Sequence, residues 1–215
     1  MTIREIKSAY LTERMMYQMK IGKNLSISFN SPVILGFFAL CLGSYVLNMI
    51  TAGWANHVLF SVYRAPLWDP FTYLRFFTHA IGHANWDHFC GNIMMILVIG
   101  PLLEEKYGSM NMLFVIAVTA FITGVVQFLL FPGTALLGAS GVVFALILMS
   151  AFVNFKNGEI PVTLILVALF YIGGQIYDGI FLNDNVSQLT HILGGITGAG
   201  FAYFMNKNKM LAVKN

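Results

Sequence analysis

The sequence predicts an all-α fold: a polytopic membrane protein built as a bundle of six transmembrane helices. Of its 215 residues, 58% are hydrophobic and 10% are charged, whereas soluble domains carry about 25% charged residues. The mean hydropathy is +0.75. The apolar residues form runs of about 20, the length that a helix needs to cross a bilayer. The basic residues lie almost entirely on one side of these runs, as the positive-inside rule requires.

The first part of the chain, residues 1–31, is polar and basic and is predicted to form a cytoplasmic segment. Its apolar residues recur at roughly helical spacing, so part of it is expected to lie on the membrane surface. No short apolar core with a small-residue cleavage site follows Met1, so no cleaved signal peptide is expected. Residues 32–206 are predicted to form the membrane domain, and 207–215 a cytoplasmic tail.

Six apolar runs give the predicted spans, which are 32–52, 86–103, 110–131, 140–155, 160–177 and 186–205. Charged residues from Glu104 to Lys106 end the second span, and Pro132 with Gly133 stops the third. Between the first two spans, the segment 53–84 is too apolar for a solvated loop and is interrupted by prolines. It is therefore expected to lie in the outer interface of the membrane.

The charges orient the spans. With the N-terminus inside, ten of the twelve basic residues fall on the inner side, and only Arg64 and Arg75 fall outside. The three tryptophans (Trp54, Trp68 and Trp86) all fall at the outer side, where tryptophan anchors helices in the interface. Both termini are thus predicted to be cytoplasmic. The short basic N-terminal segment fits a bacterial cytoplasmic membrane.

The fourth predicted span begins with a serine among small residues, Gly138-Ala139-Ser140-Gly141. Counted at 1.5 Å per residue from the inner helix ends, four polar side chains lie at similar depth: Ser140 at about 21 Å, His191 at about 22 Å, His88 at about 24 Å and Asn92 at about 18 Å. Ionisable groups inside a membrane mark functional sites by default. Small residues also let helices pack closely, so packing is the alternative interpretation of Ser140 taken alone.

These residue types suit acyl transfer. Serine needs a base to take its proton, and His191 is the only histidine in the second half of the chain. A tetrahedral intermediate needs donors for its oxyanion. His88 and Asn92 are four residues apart and share a helix face, and the Ser140 amide at a helix start adds a third donor. Phe144, one turn below Ser140, is expected to pack on the His191 ring.

No carboxylate is predicted at this depth, because Asp178 and Asp184 fall in the outer loop between spans five and six. The sequence therefore predicts a Ser–His dyad. Gly194 and Gly198 form a GxxxG-type face on the sixth span, which would let that helix approach the fourth span closely. No cofactor and no metal site are expected, and the two cysteines, Cys41 and Cys90, suggest neither a disulfide framework nor zinc.

Together these motifs resemble the rhomboid intramembrane serine proteases. The resemblance extends from about residue 64 to 204 and rests on motifs that occur in this order: Arg75 with FFTHAIGH at 76–83, His88-x-x-x-Asn92, Glu104 with Gly108, Gly138-Ala139-Ser140-Gly141, and His191-x-x-Gly194-x-x-x-Gly198. It implies a six-helix core, a water-filled cavity open to the outside, and lateral entry of transmembrane substrates between helices two and five. It also implies that Ser140 is the nucleophile and His191 the base. His88, Asn92 and the Ser140 amide would form the oxyanion hole, and His83 would be a structural or water-holding residue.

Two other functions compete with this interpretation. His79 and His83 are four residues apart, as in an intramembrane metalloprotease, but Ala80 stands where the zinc motif H-E-x-x-H needs a glutamate. A transporter or a non-catalytic binder of membrane proteins is the second alternative, although no internal repeat typical of transporters is found. The predicted partners are transmembrane proteins and the lipid bilayer. A net charge of +3 is too small to suggest nucleic acid, and the sequence makes no prediction of oligomeric state.

Overall fold

A computed structural model describes residues 18–20, 26–153, 161–181 and 188–213. Within these ranges the chain forms two short antiparallel strands and eight α-helices. The strands are β1 (Gln18–Lys20) and β2 (Ser26–Ser28), with Gln18 opposite Ser28. The helices are α1 (Pro32–Ile50), α2 (Trp54–Val58), α3 (Pro70–Thr78), α4 (Trp86–Tyr107), α5 (Ser109–Leu130), α6 (Ser140–Ala151), α7 (Val162–Phe181) and α8 (Gln188–Val213). The helical spacing predicted within the first segment, of Ile3, Ile6, Tyr10 and Met15, lies outside the described residues.

Six of these helices coincide with the six predicted spans, which confirms the all-α fold. Among the described helices, α1, α4 and α5 are each long and apolar enough to cross a membrane, by length and composition. The helix α6 is apolar but shorter, with 12 residues. The number of membrane crossings stays a prediction.

Several helix ends differ from the predicted ones, and the helix α7 ends at Phe181 rather than at 177. The charged residues after Leu103 do not end α4 but form its last turn, and the chain turns at Gly108 with a φ of +89°. The helix α6 ends at Ala151 rather than at 155. There Asn206 Nδ2 donates to the Phe152 carbonyl at 2.8 Å, and the Lys106 ammonium donates to the Val153 carbonyl. The helix α8 continues beyond 206 to Val213, through lysines that favour helix.

The long connection, residues 51–85 between α1 and α4, is more regular than the sequence suggested. Pro70 does not interrupt it but occupies the first turn of α3, where its missing N–H costs nothing, and Asp69 caps that helix by accepting from the Phe71 amide at 3.0 Å. A buried arginine stabilises the connection. The Arg75 side chain is 3% exposed and lies 2.9 Å from the Asp69 carboxylate. The Arg75 guanidinium also donates to the Val58 carbonyl at 3.1 Å.

The centre of the bundle is α6, whose residues from Gly141 to Met149 are all buried. It packs most closely on α8 because glycines remove the side chains between the two helices. A Cβ atom added at Gly194 would lie 2.2 Å from the Gly141 carbonyl oxygen, and one at Gly198 would lie 2.0 Å from the Ala145 carbonyl oxygen. The predicted GxxxG-type contact between these helices is therefore present, and it brings the start of α8 beside the start of α6.

A carboxylate at the other end of the bundle holds α1 against α4. Glu104 is 3% exposed and accepts from the Val33 amide at 3.1 Å, the Ile34 amide at 3.0 Å and the Ser109 hydroxyl at 2.6 Å. The first amides of a helix have no partner within it. A side chain of α4 thus caps α1, and the negative charge favours the positive end of the α1 dipole.

Glu104→Gln is expected to lower the free energy of unfolding by about 1–3 kcal/mol, because one buried acceptor and the charge are lost. The measurement is thermal unfolding of the purified protein in detergent. Glu105→Gln is the matched control, since Glu105 is the neighbouring residue and is exposed. Equal transition temperatures for the two variants would show that the capping contacts of Glu104 contribute nothing to stability.

Candidate active site

The helix α6 begins at Ser140 because of the residues just before it. Gly138 has a φ of +130°, a conformation that residues with a side chain rarely adopt, and Ala139 follows with non-helical angles. Ser140 is the first helical residue, so its amide has no acceptor in the preceding turn. The hydroxyl and the amide of one residue are thus both available at the start of a buried helix.

His191, near the start of α8, reaches this hydroxyl. Its Nε2 atom lies 2.9 Å from Ser140 Oγ, within hydrogen-bond distance. The Phe144 ring stacks on the imidazole with ring centroids 4.3 Å apart and planes 10° apart. The sequence predicted this packing, and the stack limits rotation of the imidazole. His191 is 8% exposed, so its ring is largely shielded from solvent, whereas Ser140 is half-buried.

The two predicted oxyanion donors lie on α4, close to the chain that leads into Ser140. A Cβ atom added at Gly138 would lie 2.7 Å from both Cε1 and Nε2 of His88, and 3.9 Å from Asn92 Nδ2. Asn85 caps α4 by accepting from the His88 amide at 2.8 Å. Asn92 donates one N–H to the His88 carbonyl at 3.0 Å, and a primary amide has a second N–H to donate. The structure therefore brings all four predicted residues to one place.

The other two histidines in this region have partners of their own. His79 Nε2 donates to the Ala120 carbonyl at 3.0 Å, and His83 Nδ1 donates to the Ile81 carbonyl at 3.1 Å. Burial lowers the pKa of His79 to about 4. Burial and, to a smaller extent, the neighbouring His88 lower the pKa of His83 to about 4. Both rings are thus neutral at pH 7, and among the described residues no three potential metal ligands are grouped.

The carboxylates considered in the sequence are not part of the described site. Asp184 lies outside the described residues, and only the backbone of Asp178 is described. The dyad prediction is therefore not extended to a third member.

Sequence reasoning missed two threonines that lie beside Gly141, the residue after the serine. A Cβ atom at Gly141 would lie 3.3 Å from Thr123 Cγ2 and 3.8 Å from Thr190 Cγ2. Thr123 Oγ1 donates to the Thr119 carbonyl at 2.8 Å, so its polar atom is satisfied within α5. A signal was present, because Thr119, Thr123 and Gln127 recur every four residues and mark one polar face of an otherwise apolar helix.

Comparison with known proteins identifies the family. The family model for the rhomboid domain matches residues 70–208. The chain belongs to the rhomboid family. It is 32% identical over 145 residues to rhomboid-related protein 1 of Caenorhabditis elegans, covering 62% of this chain and 40% of that protein. It is 26% identical over 187 residues to the rhomboid protease GlpG of Serratia proteamaculans, covering 83% of this chain and 64% of the relative.

A third rhomboid relative is the chloroplastic rhomboid-like protein 11 of Arabidopsis thaliana, which is 26% identical over 164 residues, or 69% of this chain and 56% of that protein. The chain thus spans between 40% and 64% of the length of these three relatives. The resemblance found in the motifs is confirmed as family membership. Membership of the rhomboid family, together with the apolar helices α1, α4 and α5, makes the chain an integral membrane protein.

Proposed function

We propose that this protein is an intramembrane serine endopeptidase that cleaves transmembrane protein substrates with a Ser140–His191 dyad. The observation that carries the proposal is the 2.9 Å distance between Ser140 Oγ and His191 Nε2. Serine and histidine at this distance are the nucleophile and base of acyl-transfer enzymes. Membership of a family that includes proteins named as rhomboid proteases supports the same function.

The geometry suits two chemical steps. Ser140 Oγ bonds to the carbonyl carbon of the scissile peptide while its proton passes to His191 Nε2, and the carbonyl electrons move to the oxygen. His88, the second N–H of Asn92 and the Ser140 amide donate to that oxyanion. The C–N bond then breaks, and His191 returns the proton to the leaving amine. Water attacks the acyl-enzyme with His191 again as base, which frees the acid product and restores Ser140.

The surroundings of the dyad suit a substrate that comes from the bilayer. The helix α7 packs on α6 and α8, and the resemblance to rhomboid proteases implies lateral entry between α4 and α7. Entry between these helices takes place from the lipid phase. A transmembrane segment is the expected substrate, because it is the kind of peptide that is concentrated in the lipid phase. We also propose a bacterial cytoplasmic membrane as the location, with both termini in the cytoplasm.

The test is labelling of the detergent-solubilised protein with a fluorophosphonate, which bonds only to an activated serine. Wild-type protein is expected to label, and Ser140→Ala and His191→Ala are expected not to label. Ser150→Ala is the matched control, because Ser150 lies on the same helix and its hydroxyl donates to the Ile147 carbonyl of that helix at 2.7 Å. It is expected to label at the wild-type rate.

Two results would count against a serine protease. If folded wild-type protein does not label, a transporter or a non-catalytic binder of membrane proteins becomes the better interpretation. If EDTA removes proteolytic activity, the metalloprotease alternative is favoured. We expect EDTA to have no effect, because the proposed chemistry uses only the side chains of the dyad and the oxyanion donors.

Asn92→Ala is expected to reduce turnover of a transmembrane substrate by about 10²-fold or less, since one of several oxyanion donors is lost. Asn111→Ala is the matched control. Asn111 Nδ2 donates to the Tyr107 carbonyl four residues earlier, at 2.7 Å, as Asn92 does to His88, but it lies at the start of α5. Steady-state turnover of both variants is the measurement, and an unchanged rate for Asn92→Ala would assign Asn92 a structural role.

A further inference from the structure

The loop that leads into Ser140 is fixed at alternate residues. This serine loop, residues 131–139, joins α5 to α6. Gln127 Nε2 donates to Thr134 Oγ1 at 2.9 Å. The Val62 amide donates to the Leu136 carbonyl, and the Leu136 amide donates to the Val62 carbonyl, both at 2.9 Å. The Gly138 amide donates to the His79 carbonyl at 2.8 Å. The last two attachments come from the long connection, which is remote in sequence.

Side chains reinforce the paired hydrogen bonds between Val62 and Leu136. The two residues belong to a small apolar cluster that is separate from the main core, and this second core consists of Val62, Phe76, Phe128 and Leu136, with Val125 packed against it. Val62 is 1% exposed. Beside it, Arg64 donates to the Leu129 carbonyl at 3.0 Å, and its guanidinium lies 5.0 Å from the centre of the Phe128 ring. The paired hydrogen bonds between Val62 and Leu136 are thus shielded from water, which would otherwise compete for their donors and acceptors.

The serine loop needs such support from outside. It contains Gly133 and Gly138, and glycine gives a chain more backbone freedom than any other residue. Gly138 also lies directly against His88 and Asn92, so a shift of the loop changes the distance between the Ser140 amide and these donors. Donors to an oxyanion must be placed within a fraction of an ångström, and a displacement of 1 Å can cost about 10²-fold in rate.

We propose that Val62 is a positioning residue: its paired backbone hydrogen bonds with Leu136 hold the serine loop so that the Ser140 hydroxyl and amide are aligned with His191, His88 and Asn92. The long connection would thereby set the reactivity of the nucleophile without contacting the substrate. This inference rests on the proposed function of Ser140 as an activated nucleophile.

The test removes one of the two paired hydrogen bonds. Proline has no backbone N–H, so Val62→Pro loses the donor to the Leu136 carbonyl, and Leu136→Pro loses the donor to the Val62 carbonyl. Val62→Ala keeps its N–H and loses only methyl groups, so it separates the hydrogen bond from the packing. Thermal unfolding shows which purified variants are folded, and their fluorophosphonate labelling rates are compared. We expect the folded proline variants to label about tenfold slower than wild type, and Val62→Ala to label within about twofold of wild type.

Val125→Ala is a further control, because it removes methyl groups that pack on the second core and leaves the hydrogen bonds between Val62 and Leu136 in place. Its labelling rate is expected to stay within about twofold of wild type. The inference is overturned if a folded Val62→Pro or Leu136→Pro variant labels at the wild-type rate, or if Val62→Ala or Val125→Ala slows labelling as much as the proline variants. Failure of wild-type protein to label would instead overturn the proposed function.

Discussion

If the proposed function is correct, Ser140→Ala is expected to reduce cleavage of a transmembrane substrate by about 10⁴-fold or more, as loss of the nucleophile does in serine proteases. The proposed oxyanion donors alone cannot replace the nucleophile, because the variant lacks the hydroxyl that lies 2.9 Å from His191 Nε2. The fold should be unchanged, since alanine is a good helix former and the lost atom is one hydroxyl oxygen. Cleavage of a model substrate by purified protein is the measurement.

The Ser140→Ala variant also separates catalysis from binding. Its thermal unfolding should match that of wild type, and a substrate should still co-purify with it, because Gly138 and Gly141 remain in place. Ser150→Ala, on the same helix, should cleave normally. Turnover by pure Ser140→Ala that exceeds the level of a vector-only preparation would exclude Ser140 as the nucleophile.

Gly198→Ala is expected to cause a large combined loss of stability and activity. The added Cβ atom would lie 2.0 Å from the Ala145 carbonyl oxygen and 2.6 Å from the Ala145 Cα atom. These are backbone atoms in the middle of α6, which cannot turn aside as a side chain can. The helix α8 must therefore move away, which costs about 1–3 kcal/mol or more and carries His191 away from Ser140. Thermal unfolding and fluorophosphonate labelling measure the two losses.

Gly200→Ala is the control, because the same substitution is expected to have the opposite effect on stability at this position. Gly200 lies two residues further along α8, and a Cβ atom there would meet nothing within 4 Å. Alanine favours helix over glycine by about 1 kcal/mol, so this variant should be equally or more stable and should label normally. If Gly198→Ala behaves like Gly200→Ala, the close contact between α6 and α8 is not required.

The sequence predicted the parts of this protein that depend on composition and period. The apolar runs predicted the helices α1 and α4 to α8, and the shared depth of four polar residues predicted that they lie together, namely Ser140, His191, His88 and Asn92. The GxxxG-type spacing of Gly194 and Gly198 predicted the close helix pair. Each of these signals is local, because a helix repeats its faces every 3.6 residues.

Features that depend on contacts between distant residues were not predicted. The capping of α1 by Glu104 joins residues about 70 positions apart, so no local pattern reveals it. The pairing of Val62 with Leu136 joins two short extended pieces with no alternation long enough to be recognised as strands. The sequence pattern suggested that the prolines interrupt the long connection. The structure shows instead that Pro70 begins the helix α3.

The burial of α6 from Gly141 to Met149 has a consequence for how the bilayer acts on the protein. A helix of 12 residues is about 18 Å long, which is shorter than the hydrocarbon core of about 30 Å. Because its residues from Gly141 to Met149 are enclosed by protein, hydrophobic mismatch exerts no direct force on it. Helices such as α1, α4 and α5 meet the lipid, and they adapt to thin or thick bilayers by tilting. A change in bilayer thickness is therefore expected to affect the position of Ser140 through the tilt of the neighbouring helices.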